Sequence, residues 1–233
     1  MTRLLALVEG HTEVGFVEEL LRPHLLMHGY SSVAARLLGD ARPRRQRGGI
    51  RPWHSVRRDI VRHLREDSGL LVTTMLDFYG LPSAGDGAWP GRDAAHSVGT
   101  HRKGVVVCAA LAADVADALA TDSLSRFIPF VAVHEFEGLL FADCAALARA
   151  VYRDDKAAEL LAIRAAYGSP EDINDHPATA PSKRLAALLP EYDKIVAGVL
   201  AAQEIGLPKI RRECPTFDRW LGELEQRGKP AAK

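Results

Sequence analysis

Cysteine is nearly absent: Cys108, Cys144 and Cys214 are the only three in 233 residues, and none sits in a C-x-x-C pair. That argues against a disulfide framework and against a zinc site, and it fits a reducing compartment. Net charge is absent too, since 30 Lys and Arg balance 30 Asp and Glu. Bulk charge therefore implies no polyanionic partner, and any electrostatic argument has to be local. No apolar run reaches the ~20 residues of a membrane span, and no basic stretch followed by an apolar run and a cleavage site opens the chain. The expectation is a cytoplasmic protein with no membrane association. The nine histidines show no convincing transition-metal spacing. A Walker A loop, a dinucleotide fingerprint and a G-x-S-x-G elbow are all missing, which argues against an ATPase activity of its own and against serine-hydrolase chemistry.

What is present is a repeated pattern. Short apolar runs over residues 2–9, 69–77 and 127–135 each end on an acid: Glu9, Asp77 and Glu135. Runs of this length bounded by glycine or proline read as buried strands, and residues 33–38 suggest one more. Helical periodicity falls between them, at 12–27, 55–67 and 105–121, and continues through 138–150, 154–167, 183–203 and 216–227. Strands alternating with helices predict an α/β fold with a mostly parallel sheet flanked by helices. Residues 1–150 would form the α/β core. Residues 151–233 would be a helical C-terminal extension packed on it in one compact unit.

Ligands of open parallel sheets bind beyond the carboxyl ends of the strands. Three strand-end acids would converge there. Glu13 would join them, because positions four apart share a helix face. Like charges so gathered are destabilising without a cation, and Mg²⁺ or Mn²⁺ favours carboxylate oxygens. Glu137 is as good a candidate as Glu135. The simpler account is that Glu13 only complements a helix dipole and that strands merely exit the core on something polar.

The phrases "VEGHTE", "TTMLDFYGLP", "HEFEGLLFAD", "SPEDINDHPATAPSKRL" and "ECPTFDRWLGEL" occur in this order between residue 4 and about residue 224. Together they resemble a family of small bacterial Toprim-like proteins catalogued as a domain of unknown function. The resemblance implies a Toprim-like sheet with a glutamate after its first strand and a D-x-D motif after a later one, together holding Mg²⁺ or Mn²⁺. It is similar in particular to the overcoming-lysogenization-defect nucleases, which carry two acids four apart at the first motif, as Glu9 and Glu13 stand here. By the same resemblance Glu135 or Glu137 corresponds to a later acid, and Lys183 of "PSKRL" to a lysine. Relatives are often encoded beside AAA or ABC-type ATPases in phage-defence loci, which implies such a partner. One departure matters. The D-x-D position reads Asp77-Phe78-Tyr79, and a neutral phenol is a poor ligand for Mg²⁺. At a parallel strand end side chains alternate with period two, so residues 77 and 79 are expected to point to one face. Tyr79 would then replace the second carboxylate and leave one tight ion site.

Ten arginines lie between residues 36 and 65. Arg42, Arg44, Arg45, Arg47, Arg51, Arg57 and Arg58 suit phosphate contacts, and Trp53 and His54 suit stacking on an unpaired base. The plainer reading is a solvated basic surface or a protein-docking face. The leading expectation is a metal-dependent nuclease acting on DNA or RNA, with Glu9, Glu13, Asp77 and Lys183 in catalytic roles and Glu9, Glu13, Asp77, Glu135 and Glu137 as metal ligands. The alternative is a non-catalytic or conditionally active metal-binding module regulated by a partner ATPase. The sequence leaves a homo-oligomer open.

Overall fold

The computed structural model describes residues 2–38, 50–119, 126–173, 179–190 and 192–229. Strands β1 (Thr2–Val8), β2 (Tyr30–Leu37), β3 (Leu70–Asp77), β4 (Phe127–Ile128) and β5 (Val131–Ala132) form a parallel sheet. Its order is β2-β1-β3-β4, with β5 also on β3. The fold is α/β, as the alternation of patterns predicts. β1 lies between two partners, which is why its sequence is apolar on both faces. Leu4, Ala6 and Val8 turn to one core, and Leu7 turns to the other, as period two requires.

Helix α1 (His11–Phe16) runs through a π turn (Val17–Leu21) into α2 (Arg22–Met27). Helices α3 (Trp53–Glu66) and α4 (Thr100–Asp117) cover the sheet face that carries Leu7, Val72 and Leu76. The opposite face holds α1 and the C-terminal helices: α5 (Cys144–Ala150), α6 (Ala157–Ala165), α7 (Pro181–Leu188), α8 (Lys194–Ile205), α9 (Leu207–Glu213) and α10 (Pro215–Gly228). Phe217, Trp220, Leu221 and Leu224 of α10 share one buried cluster with Leu4 and Val8 of β1. The C-terminal third thus closes the same core as the sheet. Among the described residues no helix is long and apolar enough to cross a membrane.

Two expectations about elements are corrected. The strand expected over 127–135 is two short pieces, broken where Pro129 has no N–H to give the ladder. The Thr74 hydroxyl bridges the break: its Oγ1 donates to the Phe130 carbonyl and accepts from the Phe130 N–H, each at 2.9 Å. The helix expected over 183–203 is two helices, parted at Leu189-Pro190. The long segment after β3 has short 3₁₀ turns at Phe78–Gly80 and Ala94–Ser97 and buries Trp89 and Arg92, whose guanidinium lies 3.9 Å over the Phe78 ring.

Candidate metal centre

The carboxyl ends of β1 and β3 are neighbours, because the two strands pair in register from Arg3–Leu70 to Val8–Met75. Glu9 follows β1 directly, and Asp77 is the last residue of β3. The Asp77 N–H donates to Glu9 Oε2 at 3.4 Å. The turn after β3 comes so close that a Cβ on Gly80 would stand 3.2 Å from both Glu9 carboxylate oxygens and 2.9 Å from Ile50. Glycine is needed there for that approach. Asp77 is in turn fixed by the Phe136 N–H, 2.9 Å from its Oδ1.

Glu13, in the first turn of α1, is buried. Helices α1 and α8 pack through small residues: a Cβ on Gly15 would meet Val199 at 2.6 Å, and one on Gly198 would meet Thr12 at 2.9 Å. The Thr12 hydroxyl donates to the Lys194 carbonyl at 3.3 Å. This close crossing brings the start of α8 to the acids. Lys194 Nζ stands 2.9 Å from Oε1 of Glu137, whose side chain has 0% exposure.

The two alternatives for the third acid now separate. Glu135 is partly exposed, and its Oε2 accepts the Ser182 N–H at 2.8 Å, so it holds the first turn of α7. Glu137 is fully buried, and its Oε1 is paired with the Lys194 ammonium at 2.9 Å.

The electrostatics follow from this crowding. Burial first, then the neighbouring carboxylates Glu13, Glu137 and Glu9, push Asp77 well above the usual carboxylate range. Burial likewise raises Glu9, with Glu135 and Glu137 adding and the Asp77 N–H and Lys194 opposing. Glu13 and Glu137 are raised by burial against the pull of Lys194. Burial alone would lower the Lys194 ammonium, but Glu137, Asp77 and Glu13 together hold it above its ordinary value. Lys194 is the positive charge that these acids share.

Several expected site residues lie elsewhere. Lys183 is exposed on α7, and the lysine among the acids is Lys194 instead. The signal for it was present in "EYDKIV". Asp193 caps α8 by accepting from the Ile195 and Val196 N–H groups, at 2.9 and 3.3 Å. A lysine in the next position opposes the helix dipole, and here the neighbouring acids Glu137, Asp77 and Glu13 offset that cost. Tyr79 is not placed by strand alternation, because β3 ends at Asp77 and a 3₁₀ turn follows. Its ring stacks on His134 at 5.2 Å and 26°. His134 is 2% exposed and has φ +82°, an uncommon conformation for a residue with a Cβ. Strain of this kind gathers at functional sites.

Of the basic segment, Arg42, Arg44, Arg45 and Arg47 lie outside the described residues. Trp53 is not a stacking platform: it is 6% exposed, its indole N–H donates to Asp114 at 2.7 Å, and its ring packs on Trp89. Arg57 pairs with Asp114 at 2.6 Å. Arg51 is partly buried and Arg58 is exposed. With Arg62 and Arg65, Arg57 and Arg58 line a surface groove of about 650 Å³ along α3.

A family model described as a domain of unknown function, DUF4276, matches residues 8–225. The chain belongs to this family. No curated protein and no solved structure matches it. The DUF4276 match begins one residue before Glu9 and takes in Glu13, Asp77, Glu137 and Lys194, so the whole acid cluster belongs to the family's domain.

Proposed function

We propose that this protein is a divalent-metal-dependent nuclease of Toprim type that hydrolyses phosphodiester bonds in DNA or RNA. The observation that carries the reading is the gathering of Glu9, Glu13, Asp77 and Glu137 at the carboxyl edge of a parallel sheet, all four with raised pKa values and one lysine between them in charge. Hard oxygen donors of this kind fit Mg²⁺ or Mn²⁺. The buried Glu137 carboxylate, paired only with the movable Lys194 side chain in the contacts described above, fits a role as ligand better than Glu135, which is spent on α7. Glu9, Asp77 and Glu137 would hold the ion, with Glu13 beside them. When bound, it would polarise a phosphoryl oxygen and lower the pKa of an attacking water.

The protein's own groups supply the rest. Lys194 would neutralise charge developing on the phosphoryl oxygens once Glu137 turns to the ion. Asp77 is kept oriented by the Phe136 N–H. Arg51 and Arg58 would meet the phosphate backbone. The biological setting that goes with this reading is bacterial phage defence beside an AAA or ABC-type ATPase.

A second reading has an observation of its own. Among the described residues the acids of the sheet edge are set too wide for three of their oxygens to lie within 4.8 Å of one another, and Lys194 already compensates Glu137. A regulated, non-catalytic module would need no more than this. Mn²⁺ calorimetry with a nuclease assay on single- and double-stranded DNA and RNA separates the two. The nuclease reading expects Mn²⁺-dependent cleavage that is lost in Glu9→Gln and Asp77→Asn. Cleavage that survives both changes overturns it.

A further inference from the structure

A second group of ligating side chains lies where α2 meets α10, and it corrects the expectation from histidine spacing, since His24 and His28 do stand in an H-x-x-x-H pair. His24 and His28 stand four residues apart at the end of α2, so both leave the same side of the helix. Their ring centroids are 4.4 Å apart. Glu225, on α10, faces both rings. Its Oε1 is 2.6 Å from His24 Nε2 and 3.8 Å from His28 Nε2. One ligand atom from each of the three lies within 4.8 Å of the other two, the tightest such grouping among the described residues.

The hydrogen bonding decides which atoms are available. His28 Nδ1 is 2.8 Å from the His24 carbonyl oxygen. A carbonyl only accepts, so Nδ1 carries a hydrogen, and Nε2 is the ring nitrogen that faces Glu225. A ring fixed through its far nitrogen by a backbone carbonyl is the usual setting of a metal-ligating histidine. A lone pair aimed at a carboxylate oxygen is repulsive unless a cation or a second proton lies between them. Arg211 donates to both Glu225 oxygens, Nη1 to Oε1 and Nη2 to Oε2, and His24 Nε2 meets Oε1 at 2.6 Å, so a metal would take the place of the His24 Nε2 hydrogen. Asp218 accepts from the same Arg211 and offsets its charge.

The two helices are held firmly at this point. The Tyr30 hydroxyl donates to the Leu224 carbonyl at 2.8 Å. Gly29 and Gly228 meet backbone to backbone: a Cβ on Gly29 would stand 2.4 Å from the Gly228 oxygen, and one on Gly228 would stand 2.5 Å from the His28 oxygen. The three ligand side chains are 21%, 31% and 16% exposed, which leaves room for a water as a further ligand.

We infer that His24, His28 and Glu225 form a zinc site that clasps α2 to α10. Two imidazoles and one carboxylate, with a further position open to water, are a zinc ligand set. The inference does not rest on the nuclease reading. The ordinary alternative is a His–Glu–Arg network with a proton on His28 Nε2 and no metal.

The experiment uses the full chain, stripped with a chelator, in a Glu9→Gln background so that the acid edge does not contribute. Zn²⁺ calorimetry and Co²⁺ absorption spectra report binding. One Zn²⁺ per chain is expected, with a tetrahedral Co²⁺ spectrum. At zinc concentrations 100 times Kd, the Tm should rise by roughly 5–10 °C. His28→Ala and Glu225→Gln, checked for folding by circular dichroism, should each weaken Zn²⁺ by about 100-fold or more. Unchanged affinity in either folded variant, or no zinc binding in the Glu9→Gln chain, overturns the site. If the variants do not fold, anomalous scattering at the zinc edge from crystals of the parent chain decides. A peak among the three side chains supports the site, and its absence there rejects it.

Discussion

Lys194 Nζ stands 2.9 Å from Oε1 of Glu137, and the two side chains differ sharply in exposure, 46% against 0%. The lysine reaches in from the surface to a carboxylate that solvent does not touch. Replacing it with Met should leave Glu137 without a counter-charge. Breaking a fully buried pair costs several kcal/mol, but this lysine is nearly half exposed and the raised pKa of Glu137 lets it take up a proton. A loss of about 1–2 kcal/mol is therefore expected from urea unfolding of Lys194→Met at pH 7. In the same variant Mn²⁺ affinity should rise while any cleavage falls, because a competing cation has gone together with a phosphate-neutralising one. Unchanged stability would show that the pair contributes nothing.

Glu9→Gln should abolish Mn²⁺ binding with little change in fold, since Gln keeps an oxygen that can accept the Asp77 N–H. Asp77→Asn should do the same while retaining an acceptor for the Phe136 N–H. Calorimetry on both folded variants measures this. Unaltered Mn²⁺ affinity would move the ion away from the ends of β1 and β3.

The pH dependence of stability has a definite sign. Glu9, Glu13, Asp77 and Glu137 all have folded pKa values above their ordinary ones. Between the unfolded values, about 4, and the raised folded values, the folded chain holds more protons than the unfolded chain. The stabilisation from protonating these acids is present at the lower end of that window and is lost as pH rises through the folded values. The metal-free protein should thus melt at a higher temperature at mildly acid pH than at pH 7. Saturating Mn²⁺ should flatten the slope by taking the place of those protons. Glu213 and Glu225 are lowered and act in the opposite sense below about pH 4, and His63, held down by burial and by Arg36 and Arg62, opposes the four acids as pH falls through its ordinary value. A metal-free Tm that falls steadily from pH 7 to pH 5 would contradict the clustering of raised acids.

Tyr79 stacks on the strained His134. Tyr79→Phe keeps the ring contact and should leave stability and Mn²⁺ affinity nearly unchanged. Tyr79→Ala removes it and should cost about 1 kcal/mol. Thermal unfolding of the two variants, with Mn²⁺ calorimetry, tells them apart. A Tyr79→Phe variant that loses Mn²⁺ would make the phenol oxygen a ligand after all.

If the basic segment holds nucleic acid, log affinity should fall with log salt by about 0.9 per neutralised phosphate on duplex DNA and about 0.7 on a single strand. Arg44, Arg45 and Arg47 changed together to Ala should flatten that slope, as should Arg58→Ala on the exposed side of α3. Trp53→Ala should instead destabilise the fold, because that ring is core. A flat slope in the parent protein would assign the surface to protein docking.

Sequence alone determined the α/β class, the parallel strands and the acids that follow them. Those signals are local: period two in Leu4–Val8, an apolar run that stops at Glu9, another that stops at Asp77. It also placed a second acid, Glu13, one turn into α1. Which of Glu135 and Glu137 faces the cluster was decided only by tertiary structure, because the choice depends on where α7 and α8 dock. The same docking put Lys194 rather than Lys183 among the acids. It also turned Trp53 into the core and brought His24 and His28 to Glu225, 201 positions away from His24. Periodicity reports which face a residue takes on its own element. It carries no information about which distant element covers that face, and a site built from such pairings becomes legible only when the chain is folded.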